Sequence, residues 1–234
     1  MKTVDLIVCS ATEFYDQLRK DENGRYRSWE YCYGHFMEAR QKESPDVDYL
    51  SLQLAVYLAS WGMYRGSSFL LQKDYRIHIP VVSELLNPKY NPLAGIECIE
   101  YRKTEVQDLL KDINAYISNY YNKIRLQVKE ETPKNKLSDT LITKILMGTL
   151  GCVPAYDRYF ITGLRDQKVS TGLYNIRSLL KLVDFYEENK EILEAAREGL
   201  KVNGMPYPQM KLLDMGFWQI GFELDTNKGL QVAH

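Results

Sequence analysis

The chain has 234 residues, of which 45% are hydrophobic and 26% charged, and its 30 Lys and Arg nearly balance its 31 Asp and Glu. A chain of this length buries roughly 70–75% of its unfolded surface, so it needs neither a metal nor a disulfide to fold. The formal net charge of -1 excludes a strongly basic nucleic-acid coat and a polyacidic tail.

Helical periodicity dominates the first half of the chain. Val4–Val8 is a short strand-like run, and Ile96–Tyr101 is the other segment of this kind. Apolar residues at spacings of three and four, or nearly continuous apolar runs, predict helices between these two segments. The predicted helices span residues 28–42, 48–63, 67–72 and 79–86.

One long helix follows, from Thr104 to Glu131, because apolar residues recur there at spacings of three and four. Thr132-Pro133 would end it, since the residue before a proline avoids helical dihedrals. Glu130–Lys136 is the best candidate for a boundary loop. We predict one domain, residues 1–234, or alternatively two helical halves, 1–131 and 137–234.

The second half of the chain is also helical in pattern. Helices are predicted over residues 137–150, 155–164, 171–189, 191–200 and 208–224. No run alternates with a period of two for long enough to form a sheet. The sequence therefore predicts an all-α fold, a multi-helix orthogonal bundle around the long helix at about 104–131.

The cysteines and the apolar runs indicate the cellular compartment of the protein. Cys9, Cys32, Cys98 and Cys152 form no C-x-x-C pair and have no histidine at zinc-ligand spacing. The N-terminal apolar run is interrupted by Asp5 and is too short for a signal peptide. No run of about 18 uncharged apolar residues could span a membrane. We expect a cytoplasmic protein with free thiols, without a membrane contact, a metal or a cofactor.

Charge is unevenly distributed along the second half. Residues 136–181 contain seven Lys and Arg against three Asp, whereas residues 184–198 contain six acidic residues against two basic ones. Neighbouring helices with opposite charges pair their solvated faces. The alternative is a basic surface that binds phosphates.

The first candidate site is the segment 61–68, which joins two apolar helices. Gly62 and Gly66 flank Arg65, and Ser67 and Ser68 can cap the next helix. An arginine beside free backbone N–H groups is a candidate anion site. The alternative is a helix–helix corner, and the segment lacks the Gly-Lys-Ser/Thr ending of a P-loop.

The second candidate site combines Lys144, on an otherwise apolar helix, with Tyr156, Asp157 and Arg158 at the start of the next helix. An acid in the first helical turn complements the helix dipole, and this is one explanation of Asp157. Lys144 and Asp157 could instead pair across the turn, or line a cleft together with Tyr156.

Residues 140–160, TLITKILMGTLGCVPAYDRYF, resemble part of the helix-hairpin-helix DNA glycosylase fold. In that family a helix, a Pro-containing turn and an aspartate follow one another, and the aspartate supports base excision. The resemblance implies a catalytic role for Asp157 alone. Lys144, thirteen residues earlier, is a second catalytic candidate that the resemblance does not supply. The glycine-rich hairpin of that family is missing here. The chain as a whole also resembles bacterial helical proteins of no assigned activity.

A third candidate is His78, which follows Tyr75 and lies between two isoleucines. A histidine in such a context is more often a packed core residue than a catalytic base. The remaining histidines are His35 and His234. No H-E-x-x-H, EF-hand, nucleophile-elbow or dinucleotide-binding motif is present.

These patterns favour a binding or interaction protein rather than an enzyme. Its expected site is one cleft bounded by Arg65, Tyr75, Lys144, Tyr156, Asp157 and Arg158. The alternative is a nucleic-acid-binding or base-processing protein that uses Lys144 and Asp157, for which the basic residues of 136–177 would form one exposed patch. A third hypothesis is a structural subunit that binds a protein partner or a second copy through a tyrosine-rich face.

Overall fold

The computed structural model describes residues 2–129 and 136–232, and most of these residues are helical. The predicted all-α class is confirmed. The described α-helices are α1 (Thr3–Lys20), α2 (Ser28–Ala39), α3 (Val47–Ser60), α4 (Ile79–Leu85), α5 (Thr104–Lys129), α6 (Asp139–Thr149), α7 (Arg158–Asp166), α8 (Ile176–Glu188), α9 (Lys190–Arg197) and α10 (Gln209–Val232). An antiparallel two-residue hairpin pairs β1 (Lys201–Val202) with β2 (Met205–Pro206).

The described residues form two compact units. The terminal unit contains residues 2–22, 95–103 and 152–232, and the central unit contains residues 23–94, 104–129 and 136–151. The single domain and its alternative of two sequential halves stay predictions. So does the arrangement of a whole-chain bundle around the long helix. The predicted helix end at Thr132-Pro133, residues 130–135 of the boundary loop and His234 lie outside the described residues.

Helix α10 is the spine of the terminal unit and packs against α1, α7 and α9. Glycines allow the backbones of α7 and α10 to approach closely. A Cβ atom on Gly163 would overlap the carbonyl oxygen of Phe217, and one on Gly221 would overlap that of Tyr159. Both glycines lie where α7 crosses α10, so a larger side chain at either position would force the two helices apart.

A buried ion pair within α10 is hydrogen-bonded to the segment that precedes α7. Lys211 Nζ lies 2.8 Å from the Asp214 carboxylate, and both residues are under 5% exposed. The same carboxylate accepts a hydrogen bond of 2.9 Å from the backbone N–H of Ala155. The charge of Asp214 is thus compensated inside the core, as a buried carboxylate requires.

In the central unit, α2, α3 and α6 pack against one another, and α5 contacts α4 and α6. The buried indole of Trp29 donates a 3.0 Å hydrogen bond to the carbonyl of Met147. A Cβ atom on Gly148 would overlap the ring of Tyr57. These contacts hold α6 directly against α2 and α3.

Both strand-like predictions are wrong. Val4–Val8 lies within α1, where the buried residues Val4, Ile7, Ala11, Phe14 and Leu18 follow the helical period over a longer window. Ile96–Tyr101 ends in a 3-10 helix, which buries Cys98 and Tyr101 at its period of three.

Capping side chains move two helix starts away from their predicted positions. Helix α7 begins at Arg158 rather than at residue 155, because Asp157 is its N-cap. Helix α8 begins at Ile176 rather than at residue 171, because the side chain of Asn175 accepts a hydrogen bond from Ser178 N. Within the described residues, no helix is long and apolar enough to cross a membrane.

Candidate functional site

The six residues of the predicted cleft are divided equally between the units. Arg65, Tyr75 and Lys144 belong to the central unit, whereas Tyr156, Asp157 and Arg158 belong to the terminal unit. A single cleft that combines all six residues stays a prediction.

Asp157 is held by its role as a helix cap. One carboxylate oxygen accepts hydrogen bonds from the backbone N–H groups of Tyr159 (3.1 Å) and Phe160 (3.2 Å). The other oxygen accepts from the indole N–H of Trp218, at 3.3 Å. These contacts favour the capping interpretation, because they direct both oxygens toward groups that fix α7 on α10.

The neighbours of Asp157 also have structural contacts. The exposed guanidinium of Arg158 stacks on the ring of Tyr159 and pairs with Asp225 at 2.9 Å. Tyr156 is 1% exposed and its ring packs against those of Phe160 and Tyr174. Burial raises the pKa of Tyr156 to about 12.

Lys144 is buried in the central unit, with 4% of its surface exposed. Its ammonium donates a 2.8 Å hydrogen bond to the carbonyl of Trp61 and lies 5.6 Å from the centre of the indole ring. Lys144 therefore ties α6 to the C-terminal end of α3 and cannot contribute to an exposed basic patch. Tyr75 is engaged as well, since its hydroxyl donates to Asp48 at 2.9 Å.

Arg65 lies at a pocket of about 340 Å³ in the central unit, which we call the basic pocket. Its walls come from the 62–70 segment, from α5 and from the start of α6. The lining residues are Gly62, Met63, Arg65, Ser67, Ser68, Phe69, Leu70, Arg125, Lys136, Leu137, Ser138 and Leu141. The described lining contains three cations and no acidic residue, so it favours an anion.

The chain conformation around Arg65 depends on the two glycines that flank it. Gly62 has a φ of +76° and Gly66 a φ of +59°, a region that is costly for other residues. A Cβ atom on Gly62 would lie 3.3 Å from Arg65 Nε, whereas one on Gly66 would have nothing within 4 Å. Gly62 therefore makes room for the guanidinium as well as for the turn.

Other polar groups of the basic pocket are oriented by local hydrogen bonds. Arg125, on α5, donates a 2.9 Å hydrogen bond to Asn122 Oδ1, one turn earlier, which orients its guanidinium. Ser68 and Ser138 each accept a backbone N–H at 3.3 Å, from Leu70 and Leu141 respectively. A serine that accepts such a bond keeps its own hydroxyl hydrogen for donation to a ligand.

Behind one wall of the basic pocket, a buried histidine lies between two tyrosines. Phe69 lines the pocket and its ring contacts that of Tyr121, with 5.9 Å between the centroids. The Tyr121 hydroxyl lies 2.5 Å from His78 Nδ1, and the Tyr64 hydroxyl lies 2.7 Å from His78 Nε2. His78 is fully buried, which lowers its pKa to about 4. It is therefore neutral at pH 7.

A neutral imidazole has one donor nitrogen and one acceptor nitrogen, so the two tyrosines have opposite roles. Among the described residues, His78 is the hydrogen-bond partner of the buried Tyr121 hydroxyl. We assign Tyr121 as the donor to Nδ1, because this satisfies its buried hydroxyl hydrogen. In this assignment the proton of His78 lies on Nε2 and is donated to Tyr64. The interpretation of His78 as a packed core residue fits this geometry.

The sequence pointed to part of the basic pocket. Arg65, Ser67 and Ser68 belong to the segment proposed as an anion site, and all three line the pocket. Arg125 and Ser138 were missed, because Arg125 lies on the polar side of an amphipathic helix and has no local motif. Nothing in the local sequence indicates that α5 meets the 62–70 segment.

Comparison of the chain with protein-family models, with curated proteins and with solved structures found no match. The resemblance of residues 140–160 to the helix-hairpin-helix glycosylase fold stays a prediction. That stretch crosses from the central unit into the terminal unit after Gly151.

Proposed function

We propose that this chain is a binding protein and that the basic pocket of the central unit holds a small anion, with a phosphate group as the best fit. The observation that carries the proposal is the convergence of Arg65, Arg125 and Lys136 on one 340 Å³ pocket. Pockets of roughly 300–1,000 Å³ are the usual size for small ligands.

The chemistry of the lining is suited to a phosphate group. Guanidinium groups bind phosphate oxygens in pairs, and such charge-assisted bonds are about twice as strong as neutral ones. The hydroxyls of Ser67, Ser68 and Ser138 supply further donors around the same space. A phosphate group has enough acceptor oxygens to use several of these donors at once.

The nucleic-acid or base-processing alternative drew on Lys144 and Asp157. Lys144 is bonded to Trp61, and Asp157 caps α7. Since these contacts already account for both side chains, we place the basic pocket first. Binding of a nucleic acid at the basic pocket itself is tested in the same experiment by competition with oligonucleotides.

Titration calorimetry with inorganic phosphate tests the proposal. We expect binding that weakens between about 50 and 200 mM salt, because ions screen the attraction. Arg125→Gln should weaken binding by about tenfold or more, since a hydrogen bond to a charged group contributes about 1.5–3 kcal/mol.

Arg76→Gln is the matched control, because Arg76 is an exposed arginine of the same unit that lies outside the pocket lining. The control should bind phosphate like the wild type. Equal affinities in all three proteins would refute the proposal, and so would the absence of binding. Displacement of phosphate by a short oligonucleotide would show that the basic pocket takes the phosphates of a nucleic acid rather than a small anion.

A further inference from the structure

The basic pocket has a charged rim and an apolar floor. Arg65, Ser67, Lys136 and Ser138 are exposed and form the rim. The lining residues of the floor are at least nine-tenths buried: Phe69, Leu70, Leu137 and Leu141. A ligand that satisfies both parts has an anionic end and an apolar end.

The volume of the pocket exceeds what an inorganic phosphate needs. At about 30 Å³ per water molecule in the liquid, 340 Å³ corresponds to about eleven water-sized positions. A phosphate ion has five non-hydrogen atoms, so about half of the space stays unused. The remaining space lies beside a floor where water finds few hydrogen-bond partners, and an apolar group is favoured there.

We propose that the ligand of the basic pocket is an organic phosphate monoester, whose phosphate contacts the charged rim and whose compact apolar or aromatic group packs on the floor. This inference rests on the proposed function and specifies its ligand class. A monoester carries about -1.5 to -2 charges at pH 7, which three cations compensate. Phe69 is the aromatic residue among the described lining residues, and aromatic pairs are stabilised by stacked or edge-to-face contacts.

The apolar floor of the pocket also favours a phosphate monoester over the phosphodiester backbone of a nucleic acid. A floor formed by Phe69, Leu137 and Leu141 contributes to affinity only if an apolar group reaches it. A single monoester places its apolar group directly beside its phosphate. The phosphodiester backbone of a nucleic acid instead carries one charge per linkage and relies on a groove that follows the strand.

The test compares two phosphonates that have the same head group in the wild-type chain, by titration calorimetry. Phenylphosphonate presents a ring to the floor, whereas methylphosphonate does not. We expect phenylphosphonate to bind at least about tenfold more tightly than methylphosphonate, the scale at which a pocket discriminates apolar groups. We also expect it to displace inorganic phosphate, and Arg125→Gln to weaken both ligands.

A floor variant provides the second measurement. Phe69→Leu keeps the floor apolar and should reduce the preference for phenylphosphonate while leaving the affinity for methylphosphonate unchanged. Equal binding of the two phosphonates by the wild type would overturn this inference, yet it would leave the proposed anion site intact. If neither phosphonate nor phosphate binds, both proposals fail. Displacement of phenylphosphonate by an oligonucleotide alone, and not by phosphate, would also overturn the inference.

Discussion

His78 allows a quantitative test of the core of the central unit. Its imidazole is fully buried between the hydroxyls of Tyr64 and Tyr121, and burial lowers its pKa from about 6.5 to about 4. The unfolded chain therefore takes up a proton between pH 6.5 and pH 4 that the folded chain does not. By linkage, the free energy of unfolding falls as the pH falls through this window.

The size of the effect follows from the pKa difference. A difference of about 2.5 units, at about 1.4 kcal/mol per unit, corresponds to about 3 kcal/mol. This contribution is fully present above pH 6.5 and is lost by the time the pH has fallen to about 4. Carboxylates titrate in the same range, so the effect has to be isolated by comparison with a variant.

The assay is urea unfolding of the wild type and of His78→Gln at several pH values from 7 to 4. Glutamine keeps one donor and one acceptor but does not titrate, so the stability gap between the two proteins should shrink by about 3 kcal/mol toward pH 4. His35→Gln controls for the loss of an imidazole in general. A gap between wild type and His78→Gln that stays constant from pH 7 to pH 4 would refute the reasoning from burial.

Three further predictions concern single contacts. Gly62→Ala and Gly66→Ala should each lower the free energy of unfolding by about 1–2 kcal/mol, because both glycines have a positive φ. In calorimetry, only Gly62→Ala should weaken phosphate binding, since its Cβ would press on Arg65. Lys211→Met should lower the free energy of unfolding in urea by about 3–5 kcal/mol, because it leaves a buried carboxylate without its cation; a loss below about 1 kcal/mol would contradict this. Asp157→Asn should keep the α7 cap and change the thermal midpoint of unfolding little, whereas Asp157→Ala should lower the free energy of unfolding by about 1 kcal/mol. Equal losses of stability in the two variants would argue against the cap.

The sequence contained enough information for the fold class and for most helices. The apolar stripe predicts a helix over Thr104–Glu131, and α5 is helical from Thr104 to Lys129, the last described residue before the gap at 130–135. The strand predicted at Val4–Val8 is wrong because five residues are too short to show the helical period. Ala11, Phe14 and Leu18 continue the apolar stripe of α1 beyond that segment. Short apolar runs do not distinguish a strand from a buried helix.

The candidate site was only partly predictable, for a different physical reason. Arg65 and its serines follow one another in the sequence, so local reasoning singled them out as an anion site. Arg125 is separated from them by about sixty residues, and its place at the pocket depends on the packing of α5 in the central unit. The local sequence pattern does not predict that Arg125 lies near Arg65, because tertiary packing determines which loop the polar face of a helix contacts.

The same packing removes Lys144 from the exposed patch that the nucleic-acid alternative requires. From sequence, this lysine on an apolar helix was expected to pair with Asp157 or to line a cleft. In the structure its ammonium is satisfied by the carbonyl and the ring of Trp61, at the end of α3. Trp61 is followed directly by Gly62, where the 62–70 segment turns toward the basic pocket. Lys144 thus anchors the end of α3, from which the 62–70 segment starts, while Arg65 on that segment is exposed.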